Sequence, residues 1–210
     1  MIAAARPQEP YNKDQAVNYA RTWVQNGGTP LRNPSYPDMS ANASDGGDCT
    51  NFISQTLRAG GWRNTTTTST TSDMLWWLTS KMSYSQTWTT THGFFRHMNG
   101  GANPGTVGNS YESWYRWDFT PGTSGTISVN YGDIISADWQ GNGIIDHTMI
   151  VTGFRIKPDG YAEVLVSYHS TDRKDLPIST IQAAYPNAKF YRFGPLNQNL
   201  IIQQYQIRVV

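Results

Sequence analysis

The spacing of hydrophobic residues changes character partway along the chain. Over residues 12–24, Ala16, Val17, Ala20, Trp23 and Val24 recur at helical spacing. Asn12 and Gln15 make a capping box, and Gly27-Gly28 with Pro30 stop the helix. Phe52, Ile53, Thr56, Leu57 and Gly60 form a second stripe, ended by Gly60-Gly61. A short helix start is predicted at Asp73-Met74-Leu75-Trp76-Trp77-Leu78. Trp88, Thr91, Phe95 and Met98 predict a further helix, closed by Asn99-Gly100-Gly101. From Tyr131 onward the pattern is that of strands. Ile134-Ile135, residues 148–152, 162–168 and 189–193, and the β-branched run 200–210 are the candidates. Lys157-Pro158-Asp159-Gly160 has the composition of a tight turn between two of them. Helices first and strands afterwards predict an α+β fold, with N-terminal helices packed on an antiparallel β-sheet.

Three polar stretches interrupt these elements. The loop after the first helix is rich in Pro, Asn, Ser and Gly and exceeds the ~12–15 residues of an ordinary connection. It leads into Asp48-Cys49 and is expected to wall a cleft, with Tyr36 read as a packing residue. Residues 64–72, a Thr and Ser run, are expected to be an exposed loop. Residues 101–130 are glycine-rich and carry Tyr111, Trp114, Tyr115, Arg116, Trp117 and Phe119. They are expected to be a β insertion packing its aromatics on the core; a stacking platform for sugar or peptide is the sharper alternative.

Composition adds bounds. The 210 residues suit one domain, and a formal charge of +1 offers no basic face to nucleic acid. Low charge, 15%, with many Trp, Tyr, Thr and Asn fits an extracytoplasmic bacterial protein or one that handles polysaccharide. No apolar run approaches the ~18 residues of a membrane span. Met1-Ile2-Ala3-Ala4-Ala5 is too short for a signal peptide, so one is expected to have been removed.

Candidate chemistry centres on Cys49, the chain's single cysteine, in Gly46-Gly47-Asp48-Cys49-Thr50-Asn51-Phe52. With Asp48 as N-cap, Cys49 falls in the first turn of the second helix, where the dipole favours the thiolate. A buried, inert thiol is the competing reading of an unpaired cysteine. His147 begins one strand of the predicted hairpin and His169 ends the other. If Lys157 pairs with Tyr161, paired residue numbers sum to 318, and His169 lies opposite Met149 on the face of His147. A slip of two residues sets the histidines directly opposite. A slip of one, or a bulge, parts them and brings Ser170 to that face. In the even-sum registers Asp146 and Asp172 point away, and Cys49, His147 and His169 make a triad. Cys49 attacks a carbonyl carbon, His147 takes and returns the proton, and His169 orients His147. The Cys49 N–H would hold the oxyanion. His92 and His97, five residues apart, do not share a helix face as a metal pair would, and are read as surface or packing residues. Asp138, Asn142 and Asp146 bracket a glycine turn but lack the alternating ligands and closing Glu of a calcium loop. The turn is expected to position His147, and no metal or cofactor is expected.

These residues carry a resemblance. Asp48-Cys49-Thr50-Asn51-Phe52-Ile53, Gly132-Asp133-Ile134-Ile135 and Asp146-His147-Thr148-Met149-Ile150-Val151 resemble the three landmark motifs of papain-like bacterial cell-wall peptidases of the NlpC kind. More closely, the chain resembles the putative amidase domain family from about Tyr11 to Phe193. Tyr11-Asn12-Lys13, Asn33-Pro34-Ser35-Tyr36, Gly46 to Gln55 and Ser167-Tyr168-His169-Ser170-Thr171-Asp172 carry that likeness. The resemblance implies a papain-like fold in a single domain over 1–210 and a triad on Cys49, His147 and His169. It implies hydrolysis of amide or peptide bonds through a thioester, with peptidoglycan peptides as expected substrate and a secreted or cell-envelope location. The stretch 101–130 is longer than the family pattern and leaves the substrate open. An acyltransferase using the same thioester, and an inactive polysaccharide- or peptide-binding module, are the alternatives.

Overall fold

Asn12 opens the first helix, α1 (Lys13–Thr22), by accepting the Gln15 N–H on its side-chain oxygen at 2.9 Å. The protein is described by a computed structural model at residues 11–41, 47–65, 69–99, 114–119, 129–158, 160 and 162–195. The second helix, α2 (Cys49–Ala59), buries every residue from Cys49 to Leu57. It lies inside the fold, not on it, which explains Asn, Gln, Ser and Thr on its covered faces. Each of the first three has a partner: Asn51 Nδ2 donates to the Pro37 carbonyl, Tyr19 donates to Gln55 Oε1, and Ser54 donates to the Trp88 carbonyl.

The tryptophan-rich stretch departs from expectation. No helix starts at Asp73. The Trp76 and Trp77 carbonyls accept the Thr65 and Ser85 N–H groups, their own N–H groups donate to the Thr65 and Ser85 hydroxyls, and the chain runs into a ribbon of β1 (Leu78–Ser80) and β2 (Ser83–Tyr84). Extended backbone lets Trp76 and Trp77 both be buried, a larger gain than their helix propensity offers. The helix expected at 88–98 is two, α3 (Gln86–Thr89) and α4 (Thr91–Met98). Thr90 breaks it in extended conformation, and its hydroxyl accepts the Gly93 N–H at 3.2 Å as the cap of α4.

The strands form one antiparallel sheet: β3 (Trp114–Phe119), β4 (Ile134–Asp138), β5 (His147–Ile156), β6 (Ala162–Tyr168), β7 (Arg173–Pro177) and β8 (Lys189–Pro195). Their order is β3-β8-β4-β5-β6-β7. The architecture is therefore mixed α+β with an antiparallel sheet. The strand β7 and the helix after it, α5 (Ile178–Ala184), were not anticipated. Of the glycine-rich stretch, β3 is the edge strand beside β8, while residues 101–113 and 120–128 lie outside the described residues, as does the strand expected at 200–210. Alternate residues face two cores. Ile134, Ile150 and Phe193 pack with α1 and α2, whereas Ile135, Met149, Val166 and Phe190 pack with Ile178 and Ile181 of α5. Among the described residues no helix is long and apolar enough to cross a membrane.

The pairing of β5 with β6 decides the site. Near the turn, Ile156 pairs with Ala162 and Arg155 with Glu163, the expected sum of 318. Between Val151 and Gly153 the ladder shifts, so Val151 pairs with Val166 and Ile150 with Ser167. Thr152 is the extra residue of a β-bulge, its hydroxyl 3.0 Å from that of Ser167. Beyond it the sum is odd and each face is exchanged.

Candidate active site

Cys49 is the first residue of α2, and the two residues before it fix its approach. Gly47 has φ +73°, and a Cβ there would sit 2.8 Å from Ser170 Oγ. That close approach lets the Ser170 hydroxyl accept the Asp48 N–H at 3.1 Å. The thiol itself has no exposed surface. Burial pushes its pKa up, yet the charge and hydrogen bond of His147, followed by backbone and side-chain bonds of Thr148, bring it down to about 7. The Thr148 hydroxyl is fixed in turn by Thr50 at 3.0 Å. An enclosed thiol is thus held at an acidity that makes thiolate abundant at neutral pH.

His147 heads β5 and is 7% exposed. Its ring lies between two aromatics, stacked on Trp139 at 5.5 Å between centroids and meeting Tyr168 edge-on at 4.6 Å. Among the described residues its Nε2 is buried and has no hydrogen-bond partner. The turn before it works as expected from its glycines. Asp138 accepts the N–H groups of Asn142 (3.1 Å) and Gly143 (2.7 Å), and Asp146 Oδ2 accepts that of Trp139 (2.8 Å). These carboxylates shape the turn that sets Trp139 against His147. Among the described residues no group of three or more His, Cys, Asp or Glu could hold a metal ion.

The structure corrects the third position. His169 does not reach His147; the bulge at Thr152 turns it to the opposite face and puts Tyr168 beside His147 instead. Ser170 joins Tyr168 on the His147 side, lining the same cleft. His169 is 1% exposed and stacks on Phe52 with centroids 3.8 Å apart. Its Nδ1 lies 2.6 Å from Asp48 Oδ2 and its Nε2 lies 2.6 Å from the Trp23 carbonyl. Both partners are acceptors, so both contacts are hydrogen bonds only when both ring nitrogens carry protons.

Asp48 is the N-cap residue of α2, as expected, but its carboxylate is used elsewhere. Its side chain makes no cap bond to α2. Fully buried, it accepts from Met39 N–H (3.0 Å) and Asn51 Nδ2 (2.7 Å), and it pairs with Arg32 (3.1 Å) as well as His169. Arg32 continues to Asp172 at 2.7 Å. This buried network ties the end of α1, the loop before α2 and the segment after β6 to the residue preceding Cys49. Sequence reasoning placed Asp48 and His169 in other roles and passed over Arg32, whose loop position carries no periodic signal.

Other predicted residues have packing roles. Tyr36 stacks on Trp88 at 6.1 Å, and the loop that carries it is pinned on α2 through the Pro37 and Met39 backbone. His92 is exposed. His97 is buried, its Nδ1 lies 2.8 Å from the Asp73 carbonyl, and burial lowers its pKa. A cleft of about 390 Å³ opens beside His147, walled by Trp139, Tyr168 and Tyr185.

Two proteins of Bacillus subtilis (strain 168) resemble this chain. Uncharacterized protein YhbB is 30% identical over 144 residues, covering 67% of this chain and 37% of YhbB. Uncharacterized protein YjcM is 28% identical over 137 residues, covering 62% of this chain and 26% of YjcM. The chain therefore spans well under half the length of these relatives. No solved structure matches it. The family model described as Putative amidase domain matches residues 10–193, a span that includes Cys49, His147 and the Asp48–His169 pair, and the chain belongs to that family.

Proposed function

We propose that the chain is a cysteine-nucleophile amidase or peptidase with a papain-like, NlpC-type fold in a single domain, acting on bacterial cell-wall peptides. The observation that carries this reading is the thiol of Cys49, which has no exposed surface yet is held near neutrality by His147 and Thr148. The family name, denoting amide hydrolysis, supports the reaction class. Low charge and an abundance of Trp, Tyr and Thr favour a secreted or cell-envelope protein.

In the proposed reaction the Cys49 thiolate adds to the carbonyl carbon of an amide. The tetrahedral oxyanion is held by the Cys49 backbone N–H. Collapse breaks the C–N bond, and His147 gives its proton to the departing amine, leaving a thioester on Cys49. Water then attacks the thioester carbon while His147 takes its proton. The carboxylic acid leaves and the Cys49–His147 pair is restored. Trp139 and Tyr168 hold the imidazole by packing, in the place where a polar orienter was expected. An amine replacing water at the second step would make the same site an acyltransferase.

A second reading, a binding module without turnover, draws on the absence of exposed thiol surface and on the unpartnered His147 Nε2 among the described residues. Incubation with purified cell-wall stem peptides separates the two. The hydrolase reading expects new amine termini, a thioester adduct on Cys49 detected by intact mass, and neither product in Cys49→Ser. A folded protein that binds the peptides and yields neither product establishes the binding module.

A further inference from the structure

The cleft beside His147 has a charge and shape that the Cys49–His147 pair does not account for. It encloses about 390 Å³, within the ~300–1,000 Å³ of small-ligand pockets. One wall is the stacked pair Trp139–Tyr185, with centroids 4.5 Å apart and planes 18° from parallel. Leu176 and Ile181 supply aliphatic surface. The lining contains the His147 imidazole, one permanently charged side chain, that of Arg173, and no carboxylate.

Arg173 is placed by the sheet. It is the β7 partner of Tyr168, so the two side chains share a face, and the Tyr168 ring meets His147 at 4.6 Å. The Arg173 Nη1 donates to the backbone carbonyls of Thr171 and Asp172. These two bonds hold the guanidinium at the cleft. Arg173 is exposed, and among the described residues its Nε and Nη2, the pair whose fork matches a carboxylate, have no protein acceptor. His147 also lines the cleft, and its Nε2, on a side chain more than nine-tenths buried, has no partner among the described residues.

We propose that this cleft is the specificity pocket for the C-terminal residue of a peptide. An apolar side chain would lie against Trp139, Tyr185 and Ile181, with the free α-carboxylate on Arg173. The proposal rests on the hydrolase reading for its consequence, a preference for cleavage next to a peptide's carboxyl end. Its binding content stands apart from turnover.

The probes are N-acetyl-L-phenylalanine and its uncharged amide. They are titrated into the folded protein while the indole N–H resonance of Trp139, assigned with Trp139→Phe, is followed. The acid should shift that resonance saturably and bind about tenfold or more tighter than the amide, as one charge-assisted bidentate contact implies. Arg173→Gln should make acid and amide equal, and Arg173→Lys should keep part of the preference. Equal binding by the wild type, no saturable shift from either probe up to about 10 mM, or a preference that survives in Arg173→Gln would overturn the proposal. Iodoacetamide labelling of Cys49 in the same samples keeps the two ideas separate. A reactive thiol with no acid preference removes the pocket alone, and an acid preference with an inert thiol removes the hydrolase alone.

Discussion

Replacing His169 with alanine separates a structural role from a catalytic one. The side chain makes two 2.6 Å hydrogen bonds, to Asp48 and to the Trp23 carbonyl, and covers one face of Phe52. Removing a hydrogen-bond partner from a buried group costs roughly 1–3 kcal/mol, and more where that group is charged, as the Asp48 carboxylate is. Here Asp48 keeps Arg32 at 3.1 Å and two further donors, from Met39 and Asn51, which places the loss toward the lower end. The orphaned Trp23 carbonyl and the space above Phe52 act in the opposite direction. About 3 kcal/mol is expected, which moves a urea midpoint by about 1–2 M. The assay is urea unfolding followed by tryptophan fluorescence, paired with turnover and Cys49 alkylation measured well below the transition. The folded fraction of His169→Ala should keep its alkylation rate within a few-fold, since His147 is held by Trp139 and Tyr168. A variant of unchanged stability whose turnover falls by orders of magnitude, as removal of a true orienter does, would refute this reasoning and restore His169 to the triad.

Three further predictions test neighbouring links. Alkylation of Cys49 should rise with pH to a plateau with its midpoint at about 7, because the reactive thiolate forms as pH climbs through the lowered pKa. His147→Ala removes a principal lowering cause and should move that midpoint upward, and a folded protein that never reacts would count against catalysis. Thr148→Val removes the bond to the thiol and the 3.0 Å bond to Thr50, so the midpoint should rise and stability should fall by about 1 kcal/mol, read by alkylation and by urea unfolding. Asp133 and Arg192 are buried and paired at 2.5 Å where β4 meets β8, so Arg192→Ala should cost roughly 3–5 kcal/mol while leaving the alkylation midpoint in place, as a melting scan and the same titration will report.

Much of the frame was legible in the residues because local rules carried it. The Asn12 cap, the α2 stripe, the turn at Lys157-Pro158 and the pairing of Arg155 with Glu163 all follow from neighbours close in sequence. The tryptophan stretch was not legible, because burial of Trp76 and Trp77 is decided by contacts outside the segment. The short β7 and α5 have too few apolar repeats to register as elements. Cys49 beside His147 was reachable from motif spacing, since a helix start and a strand start both leave a strong local mark.

The third position was not reachable, and the reason is a single residue. Period-two alternation carries a face assignment faithfully from the turn to Gly153 and then inverts it at Thr152. No hydrophobic pattern announces that inversion, because β5 and β6 are buried on both faces and either parity buries apolar side chains. What responds to parity is the polar content. With the odd sum, His169 meets Asp48 and the end of α1, whereas with the even sum it would face His147 and leave Asp48 without an imidazole partner. The bulge therefore gives the last residue of β6 and the first residue after it different uses. The odd-numbered His169 holds the residue before Cys49, and the even-numbered Tyr168 packs against His147. A one-residue difference in strand length separates the Cys49–His147 pair, and the chemistry proposed for it, from the His169–Asp48 contact that positions Cys49.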